Sequence, residues 1–370
     1  MKKIKWENVL AIVIALTYGL VIGIWCGHFF DNGIAKNIEQ GVRNELTLAE
    51  NEDGNAGTPL VLEEGAKAVS DKDGIFDVKE RRPIKVRTTL NREEICEEID
   101  ARAAFEASVI EALKITDKQE LYEILDHLSD STKIKKFGKH IKIKKKHMKE
   151  LKAAVKDLEE NGYRISFLAM DLDFGFGISK GAQEVFYSAS ALKGPYVGAA
   201  VSQMPDRAGA YESTIYQVLK YSSNDGYETL RYGFGPQVIE NWYKETNIDN
   251  LNVREHYSDM TPVQFAKLWV RNWEYLTSDE EKADWLKPLY ENSLNAVISE
   301  GLADENTHVY SKAGWIADYS CGTVQNDAGI VDHDNQEPYV MVIMSSAYMQ
   351  NDRLQRVVRA LDQVFRDMRK

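Results

Sequence analysis

Ser190 and Lys193 stand three positions apart in Ser190-Ala191-Leu192-Lys193, so a hydroxyl and an amine share one face of any helix that carries both. A serine hydroxyl is a weak nucleophile until a nearby base takes its proton. A lysine can be that base only where burial or another cation keeps its amine neutral. A serine and a lysine so spaced have the types that covalent acyl transfer uses as nucleophile and base, but this spacing alone is common in long chains and assigns nothing without further context. Two further polar groups lie downstream: Ser222-Ser223-Asn224, which breaks the helical run ending Val218-Leu219-Lys220-Tyr221, and Lys312-Ala313-Gly314. Taken alone, the first reads equally as a helix-terminal turn and the second as an exposed strand lysine.

The elements that must position these groups follow from hydropathy patterning. Met148, Leu151, Val155 and Leu158 mark an amphipathic helix that stops at Asn161-Gly162. Alternation at Tyr163, Ile165, Phe167 and Ala169, with a turn at Asp173-Phe174-Gly175, predicts a β-hairpin that leads through Phe186-Tyr187 to Ser190. Pro195 suits a first helical turn, which predicts a helix starting near Ser190. The middle is helical, with a capping box at Thr261-Pro262-Val263-Gln264 and another expected at Ser278 and Glu281. Three strands are predicted over Val309 to Trp315, Thr323 to Val331 and Tyr339 to Ser345. A last helix, capped by Asn351, carries Leu354, Val357, Val358, Leu361, Val364, Phe365 and Met368. The expectation is an α/β fold, a three-layer α-β-α sandwich whose antiparallel sheet of about five strands draws on both ends of one domain.

In this order, Ser190 to Lys193, Ser222 to Asn224 and Lys312 to Gly314 resemble the S-x-x-K, S-D-N and K-T-G elements of the class A β-lactamase and penicillin-binding-protein superfamily. The resemblance runs from about Gly162 to the C-terminus. It implies that Ser190 is the nucleophile and Lys193 its base, that Lys312 is the cation beside Lys193, that Ser222 passes a proton to the leaving nitrogen, and that Asn224 holds both substrate and lysine. It also implies an oxyanion site at the backbone N–H groups of Ser190 and Trp315, with Gly314 just before it. Two departures stand out. The segment from Gly233 to Thr261 is short for the loop that carries a deacylating glutamate in class A enzymes, leaving Glu245 and Glu255 as the available stand-ins. Ala313 also replaces a hydroxyl residue that normally helps to bind the substrate carboxylate. The resemblance thus implies a penicillin-binding, D,D-peptidase-like serine hydrolase acting on D-alanyl cell-wall peptides and β-lactams. A class A-like β-lactamase is the alternative, and a non-catalytic wall-binding module a second.

With 370 residues, 44% of them hydrophobic, the chain can bury one or two ordinary cores. Its net charge of −12 argues against nucleic acid, whose binding needs a basic surface. Val9 to Phe30 contains no charged residue and could span a hydrocarbon core of roughly 30 Å. Lys2, Lys3 and Lys5 before it would keep the N-terminus cytoplasmic. A cleaved signal peptide competes, but no small-x-small site follows, so residues 1–30 are expected to form a single-pass anchor with the catalytic domain outside the cell. Residues 31–89 read as a flexible linker, 90–160 as a helical, Lys-rich stalk leading into the first domain helix, and 161–370 as the catalytic domain. The lysines from Lys133 to Lys149 form either a solvated face or a patch for anionic wall polymers or lipid headgroups. Cys96 and Cys321 suggest no disulfide framework. No metal site or cofactor is expected.

Overall fold

A computed structural model describes residues 61–63, 85–87, 103–104, 107–108, 110–111 and 114–369, apart from 139–141, 250, 305, 319–321 and 335. The expected anchor at Val9 to Phe30 and both Cys96 and Cys321 lie outside the described residues. Among the described residues, no helix is long and apolar enough to cross a membrane, and no cluster of His, Cys, Asp and Glu could hold a metal ion. The chain divides into two compact units, Met1–Leu113 and Lys114–Lys370. In the first, Val61–Glu63 pairs antiparallel with Lys85–Arg87.

The second unit carries the site. Its sheet holds six strands, in the order β1 (Lys135–Phe137), β3 (Gly177–Lys180), β2 (Ile165–Asp171), β8 (Tyr339–Ser345), β7 (Gly322–His333) and β6 (Thr307–Asp318), all antiparallel. The N-terminal hairpin and the closing strands meet where β2 pairs with β8, Tyr339 opposite Asp171 and Ser345 opposite Ile165. Both central strands are buried along their whole length, because each face is covered. Phe167, Ala169, Met341 and Ile343 face α2 (Lys145–Glu160) and α8 (Asn351–Met368), which supply Leu151, Val155, Leu158, Leu354, Val358 and Phe365. Leu168, Met170, Val340, Val342 and Met344 face the larger helical layer, built around α3 (Lys193–Gln203) and α7 (Pro262–Leu276). Period-two alternation thus feeds two cores from one set of strands.

The outcome differs from the sequence expectation in several places. The sixth strand, β1, lies within the Lys-rich stretch, where high charge hides a three-residue pairing from any hydropathy pattern. At a sheet edge, exposed lysines are what deters further strand addition. Several neighbouring lysines make ordinary contacts: Lys144 lies 3.7 Å from Asp367, and Lys146 3.9 Å from Glu150. The compact unit begins at Lys114, ahead of the expected boundary at 161, because α1 (Lys118–Asp126) buries Leu121 and Leu125 in the larger core. The box expected at Ser278 starts no long helix, since the Ser278 hydroxyl accepts from Glu280 N–H and only Ala283–Leu286 follows. Gln350, not Asn351, sits at the cap of α8. The Thr261 capping box is present with both of its hydrogen bonds.

Candidate active site

Ser190 is not on the α-helix itself. It lies in a 3-10 turn, Ala189–Leu192, that runs directly into α3 at Lys193. A 3-10 turn has three residues per turn, so positions three apart eclipse, and Ser190 and Lys193 align more closely than an α-helix would bring them. Ala189 opens the turn with φ of 46°, a left-handed conformation that costs a non-glycine residue energy. Asn326 on β7 secures the entry: its amide donates to the carbonyls of Tyr187 (2.8 Å) and Ser188 (3.3 Å), and its Oδ1 accepts from Ser345 N–H. Two further strands pin the same entry, β4 (Phe186–Tyr187) against β5 (Asp259–Met260).

Glycines let the surrounding backbone close in. A Cβ at Gly314 on β6 would collide with Ala191 N and stand 2.6 Å from Ser190 N, so the strand lies against the backbone of Ser190 itself. A Cβ at Gly194 would come within 2.8 Å of Lys312 Cβ and 3.0 Å of Trp269. From Lys193 to Val201 every residue of α3 is buried.

Lys193 is completely buried, and its Nζ donates to Ser222 O (2.7 Å), Asn224 Oδ1 (2.7 Å) and, more weakly, Ser223 O (3.3 Å). Burial lowers its pKa to about 7, so the neutral amine is a major species near neutrality. A neutral amine has two N–H bonds, which the two short contacts use, and one lone pair left over. Ser222 adopts the left-handed conformation, φ 59°, where α4 (Glu212–Tyr221) ends, and Ser223 then caps α5 (Asn224–Phe234) by accepting from Gly226 N–H. This sharp junction turns the backbone carbonyls of Ser222 and Ser223 onto Lys193 while the Ser222 hydroxyl faces Lys312. The Nζ of Lys312 donates to Ser222 Oγ (3.2 Å) and to Ala313 O (2.7 Å). Its pKa is also about 7, lowered first by burial and then by the charge of Lys193, against a partial offset from Asp327. Burial pushes the Asp327 carboxyl up to about 7, and its Oδ2 accepts from Ile298 N–H. The Trp315 ring centroid is 5.7 Å from Lys312 Nζ.

Ser190, Lys193, Ser222, Asn224, Lys312, Gly314 and Trp315, drawn from three distant stretches of chain, therefore meet in one place. Among the described residues, the two glutamates do not join them by any hydrogen bond or ion pair. Glu245 accepts from Arg271 at 2.7 Å, and Glu255 accepts from Asn252 at 2.8 Å. The same short segment instead delivers Tyr257, whose hydroxyl donates to Asn224 Oδ1 at 3.2 Å and whose ring centroid lies 5.7 Å from Lys193 Nζ. Sequence reasoning missed Tyr257 and Asn326 alike, since neither belongs to a spaced motif. A lone tyrosine in a polar stretch emits no signal until the fold brings it to Asn224 and Lys193.

Residues 205–365 match the β-lactamase enzyme family, a segment that starts after Ser190 and Lys193 and includes the two later motifs. No protein of curated function matches the chain in sequence. Among solved structures, PBP-A aligns with a TM-score of 0.50 at 16% identity, covering 59% of this chain and 96% of its own. The TLA-1 extended-spectrum β-lactamase aligns with a TM-score of 0.50 at 13% identity, covering 61% and 100%. A β-lactamase from Sphaerobacter thermophilus DSM 20745 reaches 0.49 at 15% identity, covering 57% and 95%. The likeness to PBP-A and TLA-1, at identities this low, bears on the fold alone. Within the Lys114–Lys370 unit, residues 205–365 thus match the β-lactamase enzyme family, and the fold of the unit is β-lactamase-like.

Proposed function

We propose that the protein is a penicillin-binding, D,D-peptidase-like enzyme that forms an acyl-enzyme at Ser190 with D-alanyl cell-wall peptides and with β-lactams, and releases β-lactam products slowly. The observation that carries this reading is the meeting of two buried lysine amines around Ser222, each with a pKa near 7. Lys193 takes the proton of Ser190 Oγ as that oxygen attacks the carbonyl carbon. The backbone N–H groups of Ser190 and Trp315 receive the oxyanion. When the carbon–nitrogen bond breaks, the Ser222 hydroxyl, which accepts from the Lys312 ammonium, passes its proton to the leaving nitrogen and takes one from Lys312, leaving Lys193 protonated and Lys312 neutral.

Slow release is supported by the engagement of Glu245 with Arg271 and of Glu255 with Asn252. The group that the same segment does present, the Tyr257 phenol, has its pKa pushed up to about 12 by burial and stays protonated near neutrality, so it cannot take a proton from water. The charge-free run from Val9 to Phe30 supports tethering of the domain at the outer face of a cell membrane, beside the wall. In that setting the lysines between Lys133 and Lys149 would meet anionic wall polymers or headgroups. The test is incubation with a fluorescent penicillin, following both labelling and loss of label. Stoichiometric labelling that is absent in Ser190→Ala and persists for many minutes fits this reading. Rapid turnover of a chromogenic cephalosporin would replace it with that of a β-lactamase.

A further inference from the structure

The segment between α6 (Gln237–Glu245) and β5 is short, yet it is clasped from several sides. The buried Arg231 on α5 donates to Val253 O (2.6 Å) and Glu255 O (3.2 Å). Tyr227, one turn earlier on the same helix, donates to His256 O at 3.1 Å. From the other side, Ser188 N–H, two residues before the nucleophile, donates to Ser258 O at 3.1 Å. These bonds bracket a single residue, Tyr257. Its ring stacks on Tyr227 with centroids 5.4 Å apart, meets Tyr187 edge-on at 6.2 Å, and has Lys193 Nζ 5.7 Å from its centroid. So many restraints on one exposed-side loop residue are more than loop packing requires.

We propose that Tyr257 is a positioning residue for the base: its O–H donates to Asn224 Oδ1, the acceptor that also holds Lys193 Nζ. The Asn224 oxygen is thus a shared acceptor for the phenol and the amine. This holds the Lys193 amine in one orientation before substrate arrives, and orientation of this kind lowers a barrier without contributing to substrate binding. The inference rests on the acyl-enzyme reading of Ser190, but not on which acyl donor is used.

The test is Tyr257→Phe, which keeps the ring and its stacking and removes only the oxygen. Acylation of Ser190 is measured against concentration for a fluorescent penicillin and, separately, for a fluorophosphonate, which reports nucleophilicity without requiring β-lactam recognition. The limiting acylation rate should fall about 10-fold or more with both reagents, while the half-saturating penicillin concentration and the melting temperature stay within error. An unchanged limiting rate, or a loss confined to half-saturation, overturns the inference. If wild type reacts with fluorophosphonate but not with penicillin, the proposed function falls, and the role of Tyr257 is still decided by the fluorophosphonate rates.

Discussion

Asn224→Asp tests whether Lys193 is the base, because it places a carboxylate where an amide oxygen now accepts from Lys193 Nζ at 2.7 Å. An anion stabilises the ammonium and raises the lysine pKa. Two unit charges about 4 Å apart interact by about 4 kcal/mol at an effective dielectric near 20, which is about three pKa units. Asn224 is exposed on its outer side, so solvent screens this to about one to two units. Starting from a pKa near 7, Lys193 is about half neutral at pH 7; at a pKa of about 8 to 9 the neutral fraction falls to roughly 10% to 1%. Acylation of Ser190 at pH 7 should therefore slow about 5-fold to 50-fold, with the midpoint of the pH–rate curve displaced upward by the same one to two units. The assay is the second-order rate of penicillin labelling from pH 6 to pH 9.5. Wild type should rise through pH 7 and level off, and the variant should approach that level at the alkaline end. A variant with the wild-type midpoint and a uniformly depressed rate would refute the reasoning, since Asn224 would then matter only for holding substrate.

Gly314→Ala should abolish labelling and cost about 1–3 kcal/mol of stability by thermal melting, because the added methyl meets the backbone at Ser190 and Ala191, which has no room to yield. Lys193→Met should abolish acylation yet raise the melting temperature at low pH. The folded lysine pKa is depressed, so between about pH 7 and the unfolded value of 10.5 the unfolded state binds more protons; wild type gains stability as pH rises through that window, and the advantage of the variant should shrink there. An advantage that stays constant from pH 6 to pH 10 would contradict a buried, depressed amine. Glu245→Gln and Glu255→Gln should leave the rate of label release within about 2-fold of wild type, as read by gel fluorescence over time, because both carboxylates are engaged elsewhere.

The parts of this architecture that were legible in sequence are those with a period or a fixed spacing. Tyr339 to Ser345 was bounded correctly because a strand buried on both faces reads as an unbroken apolar run. That Ser190, Lys193 and the two later motifs come together was legible because acyl transfer dictates residue types at short spacing. The 3-10 geometry at Ser190 was not, since it depends on Asn326 pulling in the preceding carbonyls from a strand more than a hundred residues away in sequence. Tyr257 and Arg231 were invisible for the same reason: their roles consist of contacts between segments, and neither propensity nor hydropathy encodes a partner. The edge strand at Lys135 was obscured because its charge, which suits an exposed edge, is the opposite of what a strand pattern looks for.

Pairing of β2 with β8 has a kinetic consequence. These neighbours are on the order of 170 residues apart along the chain, so the early hairpin cannot cover either face until the last strand has been made and has found it. Loop closure on that scale must precede its reward, and sheet formation becomes a late step that leaves Leu168, Met170, Phe167 and Ala169 open to misassociation while the chain emerges. Without β8 the sheet would be cut between β2 and β7, which separates the early hairpin from the strands that the Ser190 turn lies against.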